Sequence, residues 1–228
     1  ETAQELVPKL REEADVVIAL THLGLEGGYG GGLGHSDIEL AEAVAGIDVI
    51  VGGHSHAVLK EAKVVNGIPI VQAGEWGKYV GRLDLTIDSD ADKVTEYTYT
   101  LMPVNMKKRV SYNDNTYVAY AATGYIEDGA VLDAMAPYQE QADGLLDQTI
   151  GEALVKLDGE RDLVRSQETN LGNLVTDAIM AKTGADLAFT NGGGIRAPIG
   201  PGMITYRDVL TVHPFGNTLV VMDMTGAQ

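Results

Sequence analysis

The chain has no cysteine, which excludes disulfides, thiolate zinc sites and cysteine nucleophiles. It is also short of positive charge: 16 Lys and Arg against 33 Asp and Glu in 228 residues leave a formal charge of −17. A surface this acidic repels a polyphosphate backbone, so a general binder of nucleic acid polymers is not expected. No apolar run approaches the roughly 18 residues of a membrane span, and the opening ETAQELVPKLREEAD does not read as a signal peptide. A glycine-flanked nucleophilic serine is missing as well, which removes a serine triad from consideration. With 45% hydrophobic and 21% charged residues, what remains is an ordinary globular chain, long enough for one large or two modest domains. Glycine is the residue in excess, 28 in all, against a usual share of about 7%. Those glycines cluster around histidines and asparagines.

The pattern along the first hundred residues is that of a parallel α/β unit. A polar-faced helix over Glu5 to Glu13 precedes an apolar run, Asp15 to Leu20, that reads as a strand buried on both faces. A second helix is predicted over Asp37 to Ala45, with Ser36 or Asp37 as its cap. Strands follow over Asp48 to Val51, Ile68 to Gln72 and Gly81 to Ile87, the last alternating apolar and polar. Strand, helix, strand at this spacing implies a sheet whose sites lie beyond the carboxyl ends of its strands. Residues 105–123 have weak periodicity. A long, mostly solvated helix is predicted over Ile126 to Leu146, of the kind that bridges domains. Beyond it come a strand from Ile150, an amphipathic helix over Leu171 to Lys182, a buried strand over Asp186 to Thr190, a short helix from Thr205 and a strand over Thr218 to Met224.

Three histidines stand at two of those strand ends: His22 in Thr21-His22-Leu23-Gly24, and His54 and His56 in Gly52-Gly53-His54-Ser55-His56. Neutral imidazole is a ligand for zinc, manganese, iron, nickel or cobalt, and flanking glycines let backbone approach an ion or a phosphate. His35 reads as a structural loop residue. The run Gly27 to Gly34 lacks the Gly-Lys-Ser/Thr ending of a phosphate loop and reads as a rim loop. In Asn191-Gly192-Gly193-Gly194-Ile195-Arg196, the glycines free the backbone for a ligand. The Asn191 amide can read a base, and Arg196 can pair with a phosphate or carboxylate. Phe215, one of two phenylalanines, lies between Pro214 and Gly216, either as an exposed stacking platform or as a core plug.

Together these segments resemble the 5′-nucleotidase family, which includes UDP-sugar hydrolases and ecto-5′-nucleotidases. The matching motifs are Thr21 to Gly24, Gly46 to His56, Asn170 to Ala178, Asn191 to Arg196 and Pro214 to Asn217, in family order over nearly the whole chain. The resemblance implies an α/β chain in three parts. Residues 1–104 would be the C-terminal part of a metallophosphoesterase sandwich, 105–148 a linker with the long helix, and 149–228 the N-terminal part of an α/β nucleotide-binding domain. It implies two divalent ions (Zn, Mn or Co) with His22, His54 and His56 at the metal centre, His56 standing where the family has His, Gln or Asn. Arg165, Asn191, Gly193, Arg196 and Phe215 would line a nucleotide pocket.

The activity implied is phosphomonoester hydrolysis of a nucleotide or nucleotide sugar by a two-metal-activated water, in the periplasm or at the cell surface. The family's Asp-x-His, Gly-Asp and Gly-Asn-His-Asp/Glu motifs do not occur in this sequence. The catalytic His–Asp pair goes with them, so no catalytic residue is assigned within the chain. The expectation is a middle piece of a longer protein, inactive alone. Two alternatives stand beside it: a cyclic-nucleotide phosphodiesterase/3′-nucleotidase on the same scaffold, and a nucleotide- or metal-binding module without catalysis.

Overall fold

The computed structural model describes residues 1–27, 35–112, 115–120 and 124–227, with backbone only for 108–112 and 115–120. From residue 28 onward, the glycine-rich loop expected at the rim lies outside the described residues. Two units divide the chain, Glu1–Ile126 and Glu127–Gln228.

In the first unit, three short apolar strands assemble in parallel: β1 (Ile18–Leu20), β2 (Val49–Val51) and β4 (Ile68–Val71). Ile18 stands opposite Val49 and Leu20 opposite Val51, while Ile50 faces Ile70. β3 (Lys63–Val65) closes the far edge antiparallel to β4, giving the order β1-β2-β4-β3. Helix α2 (Asp37–Ala43) is the crossover that a parallel β1–β2 pair requires. Ser36 caps it, its hydroxyl accepting from Glu39 N. Ala41 and Val44 from this segment and Val7 from helix α1 (Thr2–Arg11) bury against Ile47, Ile50, Ile68 and Ile70. Each of these valines and isoleucines contributes about 1.5–3 kcal/mol by leaving water.

At the opposite end from the histidines, Arg11 ties the elements together. It donates to Gly46 O at 2.7 Å, to Asp15 O at 2.9 Å and to Asp48 Oδ2 at 2.5 Å. Asp48 Oδ2 also accepts from Val17 N. That bond spends Val17's N–H outside the ladder, and β1 begins only at Ile18. Contrary to the reading of a strand buried on both faces, Ile18 and Leu20 are exposed. β1 is the sheet's edge, and among the described residues nothing covers those side chains.

The sheet leads into a long antiparallel hairpin, β5 (Tyr79–Asp88) with β6 (Lys93–Pro103). A second hairpin, β7 (Lys107–Tyr112) with β8 (Asn115–Tyr120), occupies the stretch whose weak periodicity showed no element.

The second unit begins with α3 (Gly129–Leu146), which has no buried residue, as its solvated pattern suggests. It continues with β9 (Thr149–Ala153), α4 (Arg161–Val164), α5 (Asn170–Thr183), β10 (Gly202–Thr205) and α6 (Tyr206–Val212). Leu171, Ile195, Ile199 and Val212 form its core, with Leu157, Val164, Val175 and Ile204 packed around them. Arg207 fastens α6 to α3 through Asp147 at 3.0 Å and Asp143 at 2.6 Å. The strands expected over Asp186 to Thr190 and Thr218 to Met224 are not formed. Leu187, Phe189, Val220, Val221 and Met222 are exposed. An apolar run becomes a strand only against a hydrogen-bonded neighbour, and neither segment has a ladder among the described residues.

Helix α6 starts in a capping box. Thr205 Oγ1 accepts from Asp208 N, and Asp208 Oδ2 accepts from Thr205 N at 2.8 Å. The Thr205 backbone and hydroxyl hold the Asp208 carboxyl below its ordinary pKa, against the opposing effect of burial and with help from the Arg207 charge. A depressed carboxyl stabilises the fold above its unfolded value, about 3.9, and that stabilisation disappears as pH falls through the folded value. Asp208→Asn is therefore expected to show a shallower loss of stability between about pH 5 and pH 2 than the wild type, in urea titrations at each pH. Superimposable slopes would show that the box carries no ionic component.

Candidate functional sites in the two units

Beyond β1 and β2, the ladder continues for one more residue on each strand. Thr21 N donates to Val51 O at 2.9 Å and Gly52 N to Val71 O at 2.8 Å. The loops that leave these two positions carry His22 and His54, whose ring centroids lie 5.0 Å apart, edge to face. Gly53 permits the approach, since a Cβ there would stand 3.0 Å from His22 Nδ1. His54 and His56 both have left-handed backbone, φ 73° and 61°. That is an uncommon conformation for a residue with a side chain.

His56 does not join the pair. Its Nδ1 is paired with Glu75 Oε2, and its ring meets Trp76 at 6.3 Å. A carboxylate on Nδ1 selects the tautomer that leaves Nε2 as an electron-pair donor. Burial works to raise the Glu75 pKa, but Lys78 and His56 outweigh it and hold the carboxyl below its ordinary value. Among the described residues no third His, Asp or Glu closes a metal cluster with His22 and His54. Two imidazoles at a strand edge fit part of the donor set of a transition-metal site.

Two buried polar residues frame this edge: Asp37, which the sequence offers only as a helix cap, and Gln72, which it offers only as the end of a strand. Asp37, 0% exposed, accepts from Thr21 Oγ1 at 2.5 Å, while its Oδ2 has no hydrogen-bond partner among the described residues. Burial raises its pKa, opposed by the Thr21 hydroxyl and the neighbouring His22. Gln72, 2% exposed, follows β4 directly and bonds to the loop of His54. The signal available in the sequence was a single amide closing the apolar run Ile68-Pro69-Ile70-Val71.

In the second unit, the Asn191 to Arg196 segment forms a 3₁₀ turn over Gly192–Gly194. Gly192 is required for packing: a Cβ there would fall 1.9 Å from Val164 O. Gly193 lies against Arg165 and Asn191, whose guanidinium and amide nitrogens would meet its Cβ at 3.2 and 3.1 Å. Arg196 donates to Gly193 O at 3.2 Å, and its guanidinium stands 5.7 Å from the centre of the Phe215 ring. Phe215 is 51% exposed, which removes the core-plug alternative. Arg165, Asn191, Gly193, Arg196 and Phe215 thus form one continuous chain of neighbours. A separate cleft of about 280 Å³, lined by Thr169, Asn173, Thr176 and Phe189 among others, contains none of the five.

Residues 149–228 match the family model of the 5′-nucleotidase, C-terminal domain. The chain is 41% identical over 249 residues to protein UshA of Yersinia enterocolitica, covering 99% of this chain and 45% of that protein. It is 38% identical over 248 residues to a 5′-nucleotidase of Vibrio parahaemolyticus, covering 99% and 44% respectively. The crystal structure of a 5′-nucleotidase precursor from Thermus thermophilus superposes with a TM-score of 0.68 at 37% identity, over 95% of this chain and 42% of that one. The chain therefore spans less than half the length of these relatives.

Gly52 offers a direct check on the packing of the histidine edge, because a Cβ there would lie 2.1 Å from Asp37 Oδ2. Overpacking of this kind costs typically about 1–3 kcal/mol, the loss expected for Gly52→Ala in urea unfolding. In an Asp37→Ser background the clash is relieved, so the same substitution should cost markedly less. A double-mutant cycle with coupling below about 0.5 kcal/mol would refute the contact.

Proposed function

We propose that the chain, which is similar to 5′-nucleotidases over nearly its whole length and matches the family model of their C-terminal domain over residues 149–228, is part of a metal-dependent nucleotide phosphohydrolase. Residues 1–104 are the C-terminal part of its metallophosphoesterase domain, 105–148 the linker, and 149–228 the N-terminal part of the nucleotide-binding domain. The observation that carries the reading is the convergence of Arg165, Asn191, Gly193, Arg196 and Phe215, scattered over about fifty residues, into adjoining positions.

The roles follow from the chemistry of each group. The half-exposed Phe215 ring offers a face on which a base stacks, and the Arg196 guanidinium beside it adds a cation that pairs with a phosphate or carboxylate. Arg165 supplies a second planar cation, and the Asn191 amide a donor and an acceptor for base or ribose. The freed backbone at Gly193 lets the ligand come close. At the sheet edge, His22 and His54 would hold divalent ions (Zn, Mn or Co), with His56 kept in the correct tautomer by Glu75. When bound, such ions supply Lewis-acid polarisation of phosphoryl oxygens and an acidified water.

The substrate is a nucleotide or nucleotide sugar, and a nucleic acid polymer is disfavoured by the charge of −17. No helix among the described residues is long and apolar enough to cross a membrane. Action in the periplasm or at the cell surface accords with the Thermus relative being described as a precursor.

Base stacking is worth about 1–3 kcal/mol. In the full-length protein, Phe215→Ala should raise KM for a nucleotide about five- to a hundred-fold. Hydrolysis of p-nitrophenyl phosphate, which has no base, should barely change. Equal losses on both substrates would refute the stacking role, and an absence of phosphate release from any nucleotide with Mn, Co or Zn present would refute the enzyme.

A further inference from the structure

We propose that Gln72 is a positioning residue for the metal-facing histidines, setting the backbone of residues 53–57 so that His54 meets His22. The inference rests on the reading of those two histidines as metal ligands.

All three hydrogen bonds of the Gln72 side chain land on that one loop. Nε2 donates to Gly53 O at 2.7 Å, and Oε1 accepts from Ser55 Oγ at 2.8 Å and from Ala57 N. The bonded positions therefore bracket His54 and His56, the two residues of that loop with left-handed backbone. Such a conformation persists only where its surroundings over-determine it, and a buried amide gripping the loop at three points is such a determinant. The grip reaches the other histidine as well. Ser55 Oγ accepts from Leu25 N at 3.1 Å, which joins the loop of His54 to the segment that follows His22. Gln72 is itself anchored, its carbonyl accepting from Leu59 N at 3.2 Å.

The chemistry selects glutamine. The site needs one donor and two acceptor lone pairs on a single planar group, at a reach that asparagine, one methylene shorter, does not have. A carboxylate of the same length would satisfy Ser55 and Ala57 but set an acceptor against Gly53 O. An aliphatic side chain would satisfy none of them.

Cobalt(II) alone is the probe, titrated into metal-free full-length protein and followed by its visible ligand-field absorption, with thermal unfolding of each apo variant as a check on folding. Gln72→Ala is expected to weaken cobalt binding about ten- to a hundred-fold, the usual loss when an outer partner of a metal ligand is removed, and to change the shape of the band. Gln72→Glu should lose less, because the two accepted bonds survive. His22→Ala and His54→Ala serve as controls. If they abolish the band while folded Gln72→Ala keeps wild-type affinity and spectrum, the positioning role is overturned and the metal reading stands. If the histidine variants keep the band, the metal reading falls and this inference with it. Should Gln72→Ala not fold, Gln72→Glu decides: wild-type affinity and spectrum in that variant overturn the proposal.

Discussion

The parallel pairing of β1 with β2 is the constraint on which the first unit depends. Parallel strands run level, so the residues just past Leu20 and Val51 emerge at the same end of the sheet. There the ladder runs out and the backbone must find other partners. Thr21 and Gly52 take the last ladder bonds. Beyond them only scattered backbone bonds remain, such as Asp37 N to Gly24 O and Gly74 N to Ala57 O, and buried polar side chains supply the rest of the hold on the two histidine loops.

Those buried residues differ in how completely they are used. Gln72 makes three hydrogen bonds and leaves no buried acceptor unmet. Its burial therefore avoids the roughly 1–3 kcal/mol that an unsatisfied polar group costs. Asp37 makes one such bond through Oδ1, and among the described residues its Oδ2, set against Gly52, has no partner. A carboxylate in that position is poorly solvated, and its raised pKa follows. The glycines at 52 and 53 answer the same crowding from the other side: one leaves room for the Asp37 carboxyl, the other for the His22 ring.

The second unit reaches a comparable result with backbone rather than strand ends. Its short 3₁₀ turn packs on the Val164 carbonyl through Gly192, and this places Gly193 beside Arg165 and Asn191. The turn is then fixed by Arg196, which bonds back to Gly193 O while its own N–H donates to Val212 O. One arginine thereby joins the turn, the end of α6 and the face of Phe215. Arg196 is thus a structural partner of Gly193 as well as the neighbour of Phe215.

Much of this could be read from the chain itself. Apolar runs bounded by glycine located β2 and β4, and the helix patterns placed α2, α3, α5 and α6 to within a few residues, because both signals are local. The histidine and Asn-Gly-Gly-Gly motifs stood out for the same reason. Tertiary structure alone decided which apolar runs found strand partners: 186–190 and 218–224 did not, and β1 became an exposed edge. It also decided that His54 meets His22 whereas His56 turns to Glu75, since ring direction depends on backbone angles that composition does not encode. The role of Gln72 was invisible in one dimension for a plain reason. A lone polar residue beside an apolar run acquires meaning only when burial removes water and makes it a partner for a loop distant in sequence.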